Sequence, residues 1–531
     1  MIRKIIYLVF ITILLSCSSE NNMETSEEIT EEINLPELKT DEVTDITLYT
    51  AKTGGKLIDS GDSEIIEIGI VVGTSILPTT DNNLNKFIIT PNDLGDFSIT
   101  ITHIPANTTY YIRAYGINSE GIIGYGNEVQ FTSPQENVYN GTITLATQEE
   151  VNNFGANNYT TVTGRMFIEG SVTSLEPLNN LVIIEGSLHI NNTHNLENLI
   201  GLENLKVTGI NRILGSSFEI RNNSSLISLN GLNGLIEIGA HHLTITNNDN
   251  LVNLDGLNNL RIINNSLEAR IGDNNSMVSL HGLEKLEIIS GDLILENFTK
   301  LNDLSALSNL YFVGKRIYIR NNISLENVNG LEAISTIESL DLVNNKNLTN
   351  LDGLSNISSA LEGLNISYNE KLNDLSAFNN INSVRFFNIK YNISLTNLEG
   401  FSNLSSIGHD LNVSNNSNLT SLKGLENLKS TKLLTLISNP NLINLEGLEG
   451  LTSIKGSSYP ITITSNSSLN SLKGLGNLIE VEGYIQIAAN SSLNDFCALK
   501  NLFFHSGHNG DINFTNNLNN PTIDEIIDNC N

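Results

Sequence analysis

The stretch LNVSNNSNLTSLKGLENL, residues 411–428, carries two apolar rhythms in succession. Leu411 and Val413 alternate with polar neighbours, as in a short strand whose side chains point to opposite faces. Leu419, Leu422, Leu425 and Leu428 then recur at every third residue. A helical stripe mixes spacings of three and four. A period of two followed by a period of three therefore predicts a coil of short straight segments, each sending one side chain inward before the chain turns. Near-copies return as NLVNLDGLNNL at 250, NLTNLDGLSNI at 347 and NLINLEGLEGL at 441. So short a unit cannot bury its own apolar side, and copies must stack, one strand per turn lying parallel on the next. Fifteen strand positions follow, from Met166-Phe167-Ile168 to Ile512-Asn513-Phe514.

Two polar columns ride on this pattern. Three residues after the second strand hydrophobe stand Asn223, Asn248, Asn274, Asn322, Asn345, Asn369, Asn392, Asn416, Asn439, Asn466, Asn490 and Asn517, with Thr193 and Phe298 as exceptions. An inward Asn at a tight turn bonds backbone groups that the corner leaves unpaired, and in a stack it bonds its neighbours, so a structural ladder is expected. The many N-x-S/T triplets are by-products of that ladder. Outward positions between the strand hydrophobes form the second column: Glu219, Thr244, Arg270, Ile294, Tyr318, Asp341, Asn365 and Asn388. At its middle, Arg270, Ile294, Tyr318, nearby Arg320 and Asp341 make a candidate ligand face, because Arg and Tyr are enriched in binding hot spots. The alternative is scattered surface residues with no ligand. Longer loops at 212–217, 456–460 and 505–511 offer a second candidate surface.

Before the repeats, TQEEVNNF at 147–154 has capping-box spacing, with Val151 and Phe154 on one face of a short helix suited to covering the open end of a solenoid. From about residue 40 to Pro134, alternating apolar positions broken by Gly, Asn, Asp and Pro every 8 to 12 residues predict an antiparallel β-sandwich. Its sharpest piece is IPANTTYYIRAYGINSEG, 104–121, with Tyr110, Ile112 and Ala114 on one face and Tyr111, Arg113 and Tyr115 on the other. This resembles the F-strand signature of fibronectin type III domains, with one extra residue between Pro105 and Tyr110. Such domains mostly act as spacers, and a stalk is implied.

The N-terminus reads as an address. Arg3 and Lys4 precede an apolar run, Ile5 to Leu15, of signal-peptide length and too short to span a bilayer. The following Leu14-Leu15-Ser16-Cys17 resembles the lipobox of bacterial lipoproteins, which implies acylation of Cys17 and a lipid anchor. An ordinary secreted protein cut nearby is the alternative. Residues 18–33 carry six Glu and no basic residue, and are expected to form a disordered tether or a surface-export signal.

The repeat itself, L-x-I-x-x-N followed by L-x-x-L-x-G-L-x-x-L-x-x-I-x-G, resembles the receptor L domain, a leucine-rich-repeat-like β-helix. Surface lipoproteins of Bacteroidetes are similar to it too, and a fibronectin-like domain often stands in front there. The resemblance implies an all-β protein, a fibronectin type III-like β-sandwich followed by a right-handed single-strand-per-turn β-solenoid. The expected division is signal peptide 1–16, tether 17–39, sandwich 40–134 and solenoid 138–531 with a cap at each end. Cys497 and Cys530, besides Cys17 the only thiols, lie near the end, where the related bacterial proteins carry a similar DFC-x-L and final NPT…NC. An exported compartment permits a disulfide between them. Two buried free thiols are the alternative.

Charge narrows the partners. With 58 acidic against 28 basic residues the formal charge is −30, which repels nucleic acid and anionic membrane surfaces. The chain has no Trp, which weakens readings that need flat stacking platforms for sugars, although 14 Tyr are present. H-E-x-x-H, G-x-S-x-G, P-loop and Cys-x-x-Cys patterns are missing. His505, His508 and Asp511 in HSGHNGD are best read as a polar loop, and His241-His242 as adjacent residues pointing opposite ways. No catalytic residue, metal or cofactor is assigned, and the chain is expected not to be an enzyme. The expected function is a lipid-anchored cell-surface binding or adhesion protein for an extracellular protein or glycan. A surface-coat or spacer protein and an accessory glycan-capture lipoprotein are the alternatives.

Overall fold

The computed structural model describes residues 34–531 apart from 90–94, 211–214, 265, 359–360, 457–458 and 531. Cys17, the signal peptide and residues 17–33 of the expected tether lie outside the described residues. The chain divides into two compact units, the larger containing residues 131–531 together with 44–52 and 100–109.

In the N-terminal region the strands are antiparallel where their pairing is defined. Glu37–Thr40 pairs with Thr50–Asp59, and Ile65–Gly73 lies between Asn85–Ile89 and Thr109–Asn118. The first strand starts inside the stretch expected to be tether. Leu38 and Thr40 alternate inward there, a two-residue signal hidden between Glu37 and Lys39. In Thr109–Asn118, Tyr110, Ile112 and Ala114 are buried on one face. Tyr115, on the opposite face, is buried as well: its hydroxyl donates to Glu67 Oε1 at 2.8 Å and Lys86 lies 5.3 Å from its ring centroid.

The second unit is a right-handed parallel β-solenoid of about 15 turns. One inward column runs unbroken through Leu293, Ile317, Leu340, Leu364, Phe387, Leu411, Leu434, Ile461, Ile485 and Ile512. A slip of one residue would turn this whole column to water, so burial alone sets the register. The every-third-residue leucines also point inward: Leu419, Leu422, Leu425 and Leu428 are fully buried, in one core that extends from Leu145 to Cys530. At the L-x-G-L corner the coils come so close that a Cβ on Gly424, at φ +110°, would lie 1.9 Å from the carbonyl oxygen of Leu398. Glycine is required there by contact and by conformation.

The expectation of a single strand per turn is corrected. Two-residue strands from Val138–Tyr139 and Thr161–Val162 to Ile288–Ile289 and Phe312–Val313 stack into a second parallel sheet, eight strands deep. Pairs such as Ile262–Ile263 and Ile288–Ile289 are too short to carry a period, although β-branched residues favour extended backbone. From Leu361–Ser367 onward the two segments join the main sheet. That sheet also starts one coil earlier than expected, with Ile143–Leu145 paired to Met166–Ile168.

The inward Asn column forms the expected ladder. Asn416 is typical: its Oδ1 accepts the backbone N–H of Asn392 at 2.9 Å, and its Nδ2 donates to the carbonyl of Ile389 at 2.9 Å. Asn416 in turn donates its own N–H to Asn439 Oδ1 at 3.0 Å, and the pattern continues through Asn466, Asn490 and Asn517. The same bonds link Asn223 to Asn248, Asn248 to Asn274, Asn322 to Asn345, Asn345 to Asn369 and Asn369 to Asn392. Thr193 keeps the chain going by donating its hydroxyl to Asn223 Oδ1 at 2.7 Å, whereas Phe298 contributes only its backbone N–H, to Asn322 Oδ1.

Both ends are closed. Helix Gln148–Gly155 has the capping box formed by Thr147 and Glu150, and buries Val151 and Phe154. At the other end Cys497 is bonded to Cys530, with Cα atoms 5.3 Å apart. A second capping box, Thr522 with Glu525, starts helix Ile523–Asn529, which buries Ile526. Among the described residues no helix is long and apolar enough to cross a membrane.

Candidate ligand-binding face

The strand register places the outward residues as one column: Glu219 beside Thr244, then Arg270, Ile294, Tyr318, Asp341, Asn365 and Asn388. Two residues on in each strand, Gly272, Glu296, Arg320 and Val343 form the adjoining column. Arg270, Ile294, Tyr318, Arg320 and Asp341 are therefore brought together on one surface, each half-buried or nearly so.

Their contacts are mostly with one another. Arg320 grips Asp341 with two bonds, Nε to Oδ1 at 2.8 Å and Nη2 to Oδ2 at 2.9 Å, while its guanidinium lies 4.3 Å from the Tyr318 ring centroid. Asp341 also accepts from Asn365 Nδ2 at 3.2 Å. Arg270 reaches Glu296 at 2.6 Å and Asp273 at 3.1 Å. Arg316, which the sequence reading did not single out, donates to the Tyr318 hydroxyl at 3.0 Å. The Asp341 carboxylate holds Arg320 charged beyond the ordinary guanidinium range, partial burial opposing it. Tyr318 is thus clasped between two guanidiniums and one of its faces is covered, so it offers less open ring than an unpaired aromatic would. The surface is an ordered lattice of charges and amides, and a ligand must match it rather than find isolated groups.

Nearer the N-terminal end of the column, His189 Nε2 lies 2.7 Å from Ser217 Oγ, and its ring packs edge-on against Phe167 with centroids 4.7 Å apart. Burial pushes the His189 pKa down, against the opposing pull of Glu219. Loop residues 212–214 and 457–458 lie outside the described residues. His508 Nε2 sits 3.0 Å from the Gly483 carbonyl, His505 packs on Phe504, and among the described residues no group of three or more His, Cys, Asp or Glu is arranged to hold a metal. His241 Nδ1 is 3.2 Å from Ser216 Oγ while His242 Nδ1 is 3.4 Å from Glu268.

One pair of side chains was overlooked in the sequence. Tyr368 and Tyr391 occupy, on consecutive coils, the position just before the ladder Asn, where most other coils have Asn, Asp or Ser. Their rings stack at 4.3 Å between centroids with 8° between planes, and remain 46% and 38% exposed. Local desolvation and a hydrogen bond to Tyr391 raise the Tyr368 pKa. The signal was legible as two aromatic departures at one fixed place in the repeat.

No family model matches the chain, and no curated protein does. Among solved structures it is similar to two crystal forms of pectate lyase Pel3 from Pectobacterium carotovorum, at 11% and 12% identity over 66% of this chain and 91% of theirs, with TM-scores of 0.14 and 0.15. It is also similar to pectate lyase PelI from Erwinia chrysanthemi in complex with tetragalacturonic acid, at 9% identity over 67% of this chain and 91% of that one, with a TM-score of 0.15. The expectation that the chain is not an enzyme is corrected: the three solved structures named above are enzymes by name, and a missing motif in one sequence does not exclude catalysis. At such TM-scores the likeness carries no argument for lyase chemistry, and the architecture stands on the strand pairing above.

Proposed function

We propose that the chain is a cell-surface binding protein, held to the membrane by a lipid on Cys17, that recognises an extracellular protein or glycan through the outer face of its solenoid. The observation that carries this reading is the convergence of Arg270, Ile294, Tyr318, Arg320 and Asp341 on one rigid strand face. Stacked strands fix the spacing of these groups before any ligand arrives, which lowers the ordering cost of binding. The bidentate Arg320–Asp341 pair and the clasped Tyr318 hold their rotamers in advance. In this reading the antiparallel N-terminal region is a fibronectin type III-like stalk, supported by the IPANTTYYIRAYG stretch, and the repeat is receptor L domain-like. The net charge of −30 keeps nucleic acid outside the range of partners.

The test is a screen of the mature chain on extracellular-matrix protein and glycan arrays, with sedimentation in parallel. A saturable hit lost in Arg270→Ala with Tyr318→Ala supports the reading. Binding that survives the double substitution moves recognition off the strand face. Concentration-dependent self-association with no hit replaces it with a surface coat.

A further inference from the structure

We propose that Tyr368 and Tyr391 form a binding step for a neutral oligosaccharide, at the corner that follows the strand face. This rests on the reading of the chain as a binding protein and adds a ligand class, but it uses other residues and another part of the coil.

The corner before each ladder Asn is left-handed. Asn297, Asn321 and Asn344 have φ of +61°, +57° and +57°, and Tyr368 and Tyr391 have +61° and +56°. Asn tolerates this conformation, whereas a bulky side chain there is an outlier. Strained residues of this sort persist where surrounding structure over-determines them, and they cluster at ligand sites. Neither ring belongs to the buried core, and both stay partly exposed while stacked on each other.

The parallel stack sets the geometry. Ring normals run along the direction in which coils stack, and a Tyr reaches farther from the backbone than the Asn on the neighbouring coil. The outer face of Tyr368 therefore rises as a wall beside Asn344, and that of Tyr391 beside Asn415. The floor is a second, exposed amide ladder: Asn297 donates to Asp273 at 2.7 Å, Asn321 to Asn297 at 2.8 Å and Asn344 to Asn321 at 2.9 Å. Each amide donates toward the preceding coil, so the Asn344 carbonyl meets no amide on the next one, where Tyr368 stands. An apolar wall beside polar groups repeated every ~4.8 Å matches a sugar chain, whose C–H faces stack on aromatic rings and whose hydroxyl rims bond amides. A protein hot spot would centre such rings in a larger apolar patch. The formal charge of −30 disfavours uronic or sulfated chains.

The test uses the full mature chain and soluble cellohexaose, xylohexaose, mannohexaose and chitotetraose, with oligogalacturonate as the anionic control. Binding is read by calorimetry and by tyrosine fluorescence, which no Trp obscures in this chain. At least one neutral oligosaccharide should bind, and Tyr368→Asn with Tyr391→Asn should weaken it by roughly tenfold or more. Because Asn is the usual corner residue, that double variant should fold and melt at or above the parent temperature. Tyr311→Ala, which removes an exposed tyrosine elsewhere on the solenoid, should leave the sugar affinity unchanged. No binding by any neutral oligosaccharide, binding that survives the Tyr-to-Asn change, or a preference for oligogalacturonate would each overturn the proposal. A protein hit on the arrays that depends on Arg270 and Tyr318 would leave the strand-face reading standing even then.

Discussion

Replacing Asn416 by Ala isolates the contribution of the buried ladder. Its side chain is fully buried and serves two backbone groups, the Asn392 N–H at 2.9 Å and the Ile389 carbonyl at 2.9 Å. Ala leaves the Asn392 N–H and the Ile389 carbonyl without a side-chain partner inside a buried column. An unsatisfied buried polar group costs ~1–3 kcal/mol, so the substitution should destabilise the solenoid by about 2–6 kcal/mol. The matched control is Asn388→Ala, in the outward column, where a change within ~0.5 kcal/mol is expected. Urea unfolding measures the difference, and amide exchange locates it. Because each coil contacts only its neighbours, the extra exchange should concentrate in coils around residues 389–439. A loss below about 1 kcal/mol, or one no larger than in the Asn388 control, would refute the ladder as a source of stability.

Other outcomes follow from the same geometry. Reducing the Cys497–Cys530 bond, or replacing both by Ser, removes a loop constraint across 33 positions and should destabilise the C-terminal cap by roughly 3–4 kcal/mol, with exchange rising after residue 490 and little change before 400. Thr147→Ala breaks the N-terminal capping box and should cost about 1 kcal/mol, visible as faster exchange in 148–155. His189 has its pKa lowered by burial, so on acidification the unfolded chain binds a proton before the folded one does. Stability should therefore fall as pH drops through about 6.5, and His189→Gln should remove that component of the urea-midpoint profile.

The parts of the fold that were legible share one property: they are imposed by burial at a fixed period. The alternation at Leu411 and Val413, the leucines at every third residue and the recurring Asn are all inward, and one core dictates them identically in coil after coil. The outward column could be written down for the same reason, since register follows once the inward residues are known. Legibility ended where an element was too short to show a period, as in Ile262–Ile263 and Ile288–Ile289, or where its signal was one pair of residues, as in Leu38 and Thr40. The second capping box, Thr522 with Glu525, had the spacing of the first but no apolar run behind it to draw notice.

By itself the sequence determined a stacked all-β coil, its strand positions, its Asn ladder, and a strand face with Arg270, Tyr318, Arg320 and Asp341 in neighbouring places. Such facts are one-dimensional, because in a solenoid the position within the repeat is also the position on the surface. Only the tertiary structure decided what those side chains do with one another. Composition promised open Arg and Tyr groups, yet Arg320 closes on Asp341 and lies against the Tyr318 ring. Conversely, two tyrosines about one repeat apart in sequence become a stacked, exposed pair at a left-handed corner. The physical reason is common to both: side-chain pairing between coils depends on rotamer, reach and local backbone angle, none of which the inward pattern constrains.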